Sequence, residues 1–192
     1  MKLLYSRAAQ TLTSRAARTL AGTAIVALMA TSLVPTQAFA QAESTNQVAA
    51  KTAWSVFEEQ TPRECWAVSA PTETVNSRDG RVVSVRRGEI LLMTFFRPDA
   101  GVNGQVAFTG GYPFAPGSNV EVNIGGTAFD LYTEGEWAWP ASTAEDGKII
   151  AAMKRGADAV LTARSARGTQ TKDTFSLQGY TAATDEAQKR CQ

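Results

Sequence analysis

From Trp54 onward, short apolar and polar runs alternate along the chain with turn signals between them, the pattern of an all-β domain. Asn119 to Ile124 is the clearest run. Val120, Val122 and Ile124 point one way, and Asn119, Glu121 and Asn123 the other. Gly125-Gly126 then supplies the positive φ angles of a two-residue hairpin turn. Thr127 to Tyr132 returns, with Phe129 and Leu131 on one face.

Trp54 to Phe57, Cys65 to Ser69, Gln105 to Phe108, Ala159 to Ser165 and Thr171 to Gln178 are further strands on the same reasoning. Arg81 to Arg87 alternates, with Val83 and Val85 on one face. Ile90 to Phe96 is apolar on both faces, as expected of a central strand in a two-layer core. Lys148 to Arg155 has helical spacing, with Asp146 as its cap and Gly156 at its end. Thr181 is placed to cap a last helix running towards Cys191. These elements predict an antiparallel β-sandwich of about eight to ten short strands with one or two short helices, a single domain over residues 53–192.

The chain before Trp54 follows another pattern. Residues 1–40 carry Lys2, Arg7, Arg15 and Arg18, then an apolar stretch from Leu20 to Val34, then Ala38-Phe39-Ala40 before Gln41. Basic, apolar and small-residue regions in that order predict a secretory signal peptide over 1–40. Residues 41–52 are polar and Ala-rich without periodicity, which predicts a flexible leader. No later apolar run reaches spanning length, so the mature chain is expected to have no transmembrane helix.

Export changes the reading of charge and of cysteine. The precursor holds 19 basic and 18 acidic residues; with the four basic residues of the signal removed, 15 remain against 18, a net of −3. That balance gives no electrostatic reason to expect nucleic-acid binding. The chain contains no histidine, which excludes Ser-His-Asp and Cys-His catalysis and HExxH zinc sites. Cys65 and Cys191 are the two cysteines. They are too far apart in sequence for a Cys-x-x-Cys redox pair and too few for a metal site. A structural disulfide in an oxidising compartment is the favoured reading, tying an early strand to the C-terminal helix. No metal or cofactor is expected.

Two surface features carry the candidate chemistry. Trp137 and Trp139, within Glu134-Gly135-Glu136-Trp137-Ala138-Trp139-Pro140, share a face if that segment is extended. Paired aromatics among acids suit a sugar, a peptide or a cationic group. Against this stands a plainer reading, favoured because indoles are mostly buried, in which both cover the end of the sandwich. Lys154 and Arg155 complement the C-terminal dipole of their helix, and a partner-binding role is the second reading. Arg86, Arg87, Arg164 and Arg167 are candidates to join them in a basic patch. Gly-x-Ser-x-Gly and Walker-type signatures are absent, and no acid pair is singled out for glycosidase chemistry.

The order Gly110-Gly111-Tyr112-Pro113-Phe114, Gly125-Gly126, Ala152-Met153-Lys154-Arg155-Gly156 and Thr174-Phe175-Ser176-Leu177-Gln178-Gly179-Tyr180, with Trp54 and the two cysteines, resembles the invasion-associated locus B family of bacterial exported proteins. The likeness spans roughly Trp54 to Cys191. The resemblance implies a periplasmic or envelope-associated β-sandwich without enzymatic activity, acting as an interaction or support module for a protein or envelope component. Other members carry an additional cysteine pair in the central hairpin region. Leu131 to Ala138 has none here, so no stapled loop is implied. The alternative from the residues alone is a periplasmic hydrolase using paired carboxylates.

Overall fold

Strand pairing follows the alternating runs closely, but one continuous sheet supplies both layers of the fold. The computed structural model describes residues 46–192. The signal peptide expected over 1–40 therefore lies outside the described residues. In chain order these form β1 (Gln47–Lys51), β2 (Trp54–Gln60), β3 (Arg63–Ser69), β4 (Glu73–Arg78), β5 (Arg81–Val82), β6 (Leu91–Arg97), β7 (Val102–Thr109), β8 (Asn119–Ile124), β9 (Thr127–Glu134), β10 (Trp137–Trp139), α1 (Thr143–Arg155), β11 (Asp158–Arg164), β12 (Gln170–Ser176) and α2 (Tyr180–Arg190). The sheet order is β1-β2-β3-β6-β7-β10-β9-β8-β11-β12-β4-β5, antiparallel throughout.

The sheet folds over itself. β7 and β12 stand five places apart in the order, a distance of ~24 Å on a flat sheet at ~4.8 Å per strand. Yet the Phe108 and Phe175 rings, one on each strand, have centroids 6.1 Å apart in an edge-to-face contact. β2 and β12 are farther apart in the order, and Trp54 Nε1 still donates to the Ser176 carbonyl at 2.9 Å. The two halves thus pack face to face as a sandwich, with Val56, Leu92, Val106, Val122, Leu131, Leu161 and Phe175 fully buried between them. The twelve strands exceed the expected eight to ten because β1, β4 and β10 carry little apolar alternation to announce them.

The helices add to this core from their apolar stripes. In α2 the buried residues Tyr180, Ala183, Thr184 and Ala187 fall at helical spacing, with Cys191 one turn further on. Tyr180 stands edge-on to Trp54, with centroids 4.8 Å apart, and shares a 2.9 Å hydrogen bond with Thr94 Oγ1. In α1, Asp146, Ile149 and Met153 face inward.

Four expectations are corrected. The leader over 41–52 contains β1, whose polar residues fit a strand at the sheet edge paired to β2 alone. Its far end is clamped, since Ala53 N donates to the Gln178 carbonyl at 3.2 Å and Lys51 lies against Gly179. The strand at Arg81 to Arg87 stops at Val82, because Arg87 turns inward to a buried acid. Asp146 is not a cap: α1 begins at Thr143, and Ser142 Oγ accepts from Glu145 N at 3.3 Å. Asp146 instead accepts a hydrogen bond from Val106 N of β7 at 2.7 Å. At α2 the cap position is taken by Gly179, with φ 89°, and Thr181 lies inside the helix.

Candidate functional site

The disulfide joins Cys65 of β3 to Cys191 just past α2, with S–S 2.09 Å and Cα–Cα 5.8 Å. Both cysteines are buried in the main core, so the bond is a structural staple.

Ala138, at the middle of β10, is fully buried in that core. Trp137 and Trp139 on either side of it must then stand on the opposite, outer face of the sheet. They do so as a pair, with ring centroids 6.3 Å apart and planes 20° from parallel. Tyr132 of β9 pairs in register with Trp139, and its ring lies 5.8 Å away. Trp137 and Tyr132 are 37% and 47% exposed, and none of the three belongs to the main core. The indoles therefore do not cover the end of the sandwich, as the plainer reading had it; they form an outer row.

That row continues across the sheet. Phe57, Trp66 and Phe95, on β2, β3 and β6, form a second line of rings, with centroid spacings of 5.4 and 6.2 Å. Arg97 covers its end, 4.4 Å above the Phe95 ring, held by Glu64 at 2.8 Å. Between the two rows lie Met93 and Ala107, paired across β6 and β7, buried but outside the main core. This explains why β6 reads as apolar on both faces: Leu92 and Phe96 serve the interior, and Met93 and Phe95 serve the outer band. Single-residue reasoning found Trp137 and Trp139. It missed Tyr132, Trp66, Phe57 and Phe95, because only strand register brings them onto one face.

The charge around the band is uneven. Glu134 and Glu136 are exposed at the Trp137 end, where Glu134 is the cross-strand partner of Trp137, and Asp130 is exposed beyond Tyr132 at the other end. Glu89 and Glu136 lie on the rim of a shallow cavity of about 330 Å³ that Trp137 also lines.

The cationic candidates separate. Lys154 Nζ binds Asp185 Oδ1 at 2.7 Å and thereby links α1 to α2; Arg155 is exposed at the end of α1. Arg86, Arg87 and Arg167 do come together, with Arg78 and Tyr112, around a cavity of about 440 Å³. Arg164 lines a neighbouring cavity with Asp79 and Gln170, and Lys154 lines neither. Within the group Arg87 is committed to structure. Its guanidinium meets both oxygens of Asp173 at 2.7 and 2.6 Å, and Nε donates to the Gly110 carbonyl at 2.8 Å. Tyr112 lies under it, 5.0 Å from ring centroid to guanidinium carbon, and hydrogen-bonds Thr171. Burial pushes the Tyr112 hydroxyl above its ordinary pKa, partly opposed by that bond. Burial likewise raises Asp146 above the ordinary carboxylate range, against the lowering effect of the bond from Val106 N.

Among the described residues no three His, Cys, Asp or Glu side chains gather as a metal site, and no helix is long and apolar enough to cross a membrane.

A single antiparallel β-sandwich, built from one sheet folded over itself and stapled to its last helix, is the class that fold and disulfide define. Residues 117–188 match the family model described as Invasion associated locus B (IalB) protein, which shows the expected family likeness across β8 to α2. A structural match extends further: the crystal structure of invasion associated protein b from Bartonella henselae superposes with a TM-score of 0.50 over 72% of this chain and 94% of that one. At 15% identity this is a likeness of fold. No curated protein matches the chain.

Proposed function

We propose that this chain is an exported, non-enzymatic interaction module of the cell envelope, periplasmic or surface-associated, that docks a partner protein on its outer aromatic face. The observation that carries this reading is the row Tyr132, Trp139 and Trp137, which lies outside the core, with Tyr132 and Trp137 exposed and Trp139 half-buried. Aromatic side chains supply much of the energy of protein interfaces, and an aligned row offers contact area at small entropic cost. Exposed Asp130, Glu134 and Glu136 beside it select a partner segment bearing Lys or Arg, whose cations are also drawn to indole faces. Export is supported by the order of basic, apolar and small residues over 1–40 and by the Cys65–Cys191 bond, which persists in oxidising compartments.

The carboxylate-hydrolase reading has one observation to rest on, the Glu89 and Glu136 rim. Both acids are exposed, the opposite of the buried general acid that glycosidase chemistry uses.

The test is cross-linking in intact cells with the native chain and with W137A/W139A. A reproducible partner captured by the native chain and lost with the variant, at equal expression and equal melting temperature, is the expected result. Equal capture by both chains would refute the aromatic face as the docking surface.

A further inference from the structure

The cavity beside the Arg87–Asp173 pair has a charge balance unlike the rest of the molecule. Arg78, Arg86 and Arg167 line it, with Glu136 as the acid on its wall. Arg87 lines it too, but its charge is met by Asp173. The three remaining guanidiniums against one carboxylate give the lining a net charge of +2, whereas the chain beyond residue 40 carries −3. Arg86 and Arg167 are exposed and have no carboxylate partner among the described residues. Arg78 is aimed by a 2.8 Å bond from its Nη2 to Thr169 Oγ1. The floor beneath is firm: Ser165, Thr169 and Thr171 are all buried, and Ser165 Oγ accepts from Thr169 N at 3.1 Å. Val85, Pro113 and the Tyr112 ring supply apolar wall.

From these features we infer that the cavity binds a phosphomonoester, on a sugar or as a lipid headgroup. A phosphomonoester carries about −1.5 to −2 charges at neutral pH, which matches the lining better than a single carboxylate does. Guanidinium forks suit its oxygens in paired hydrogen bonds. A cavity of about 440 Å³ lies within the usual range for small-ligand sites and leaves room for a ring against Tyr112 and Pro113. The Arg87–Asp173 pair acts as a positioning element, since it holds Tyr112 and the Gly110 carbonyl in place without spending its own charge on the ligand. Glu136 stands at the border between this site and the aromatic docking face, but the inference does not depend on that face.

The experiment is calorimetric titration of the native chain with glucose 1-phosphate, with glucose as control, and in parallel a flotation assay with phosphatidylcholine vesicles containing phosphatidic acid. The expected result is saturable binding of at least one phosphomonoester probe and none of glucose. R86Q/R167Q should weaken that binding at least about tenfold, the effect of losing one charge-assisted hydrogen bond. Binding of glucose 1-phosphate identifies a soluble ligand; binding of the vesicles alone identifies a membrane-borne one. A melting curve shows whether the variant is folded, and R167E alone serves as the second variant if it is not. Absence of saturable binding to either probe, equal binding of glucose, or binding unchanged in a folded variant would overturn the inference.

Discussion

Arg87 and Asp173 meet as a two-pronged pair, at 2.7 and 2.6 Å, with side chains 6% and 0% exposed. The pair joins the irregular segment before β6 to β12, so one buried charge holds the other inside the fold. Removing one partner strands the survivor away from water. R87M should therefore cost about 3–5 kcal/mol in urea denaturation, and R87M/D173L should recover much of that loss. A single variant as stable as the native chain would contradict this account.

The staple closes a loop with a sequence separation of 126. Constraint of the unfolded chain over so long a loop makes the bond worth about 2–5 kcal/mol. Reduction, or C65S/C191S, should lower the denaturation midpoint accordingly. Intact-mass measurement of the exported form should show both thiols absent.

Trp54 and the Trp137–Trp139 pair offer a contrast in position. Trp54 is 1% exposed, stacks edge-on with Tyr180 and donates to Ser176. W54A should destabilise by about 3–5 kcal/mol. W137A/W139A, outside the main core, should cost less than about 1 kcal/mol. A collapse of the fold in the second variant, seen by circular dichroism, would return the indoles to a structural role.

Asp146 gives a pH dependence of definite sign. Burial raises its pKa above the ordinary 3.8, so between those two values the folded chain binds more protons than the unfolded one. Stability from this group is full below the unfolded value and is lost as pH rises through the folded one. D146N keeps an acceptor for Val106 N and removes the buried charge. It should gain stability at neutral pH and flatten that part of the pH profile, read from denaturation midpoints at several pH values. An unchanged slope would assign the effect to another group.

How far this was legible in the sequence depended on how local the signal was. The β8–β9 hairpin announces itself, because alternation and Gly125-Gly126 lie within a few residues. β1 and β4 were missed, since a strand at or near a sheet edge needs few apolar residues and shows little periodicity. Arg87 was misplaced on a strand face because its partner Asp173 lies on another element, 86 positions on. Asp146 looked like a cap for the same reason: its partner, Val106 N, is nowhere near it in sequence. Of the candidate site, Trp137 and Trp139 were visible as a spacing, while their continuation through Tyr132 and across to Phe57 exists only in the register of neighbouring strands.

The folding of the sheet over itself also bears on how the chain reaches its native state. The indole of Trp54 finds Ser176 across 122 positions of sequence, and the staple spans a similar distance. Contacts of that range must be made after much chain entropy has been lost, which puts domains of this kind among the slow folders, on the order of milliseconds to seconds. Until the two halves of the sheet meet, Leu92, Phe108 and Phe175 face water. The rate at which that meeting occurs sets how long the newly made chain is vulnerable to aggregation and proteases.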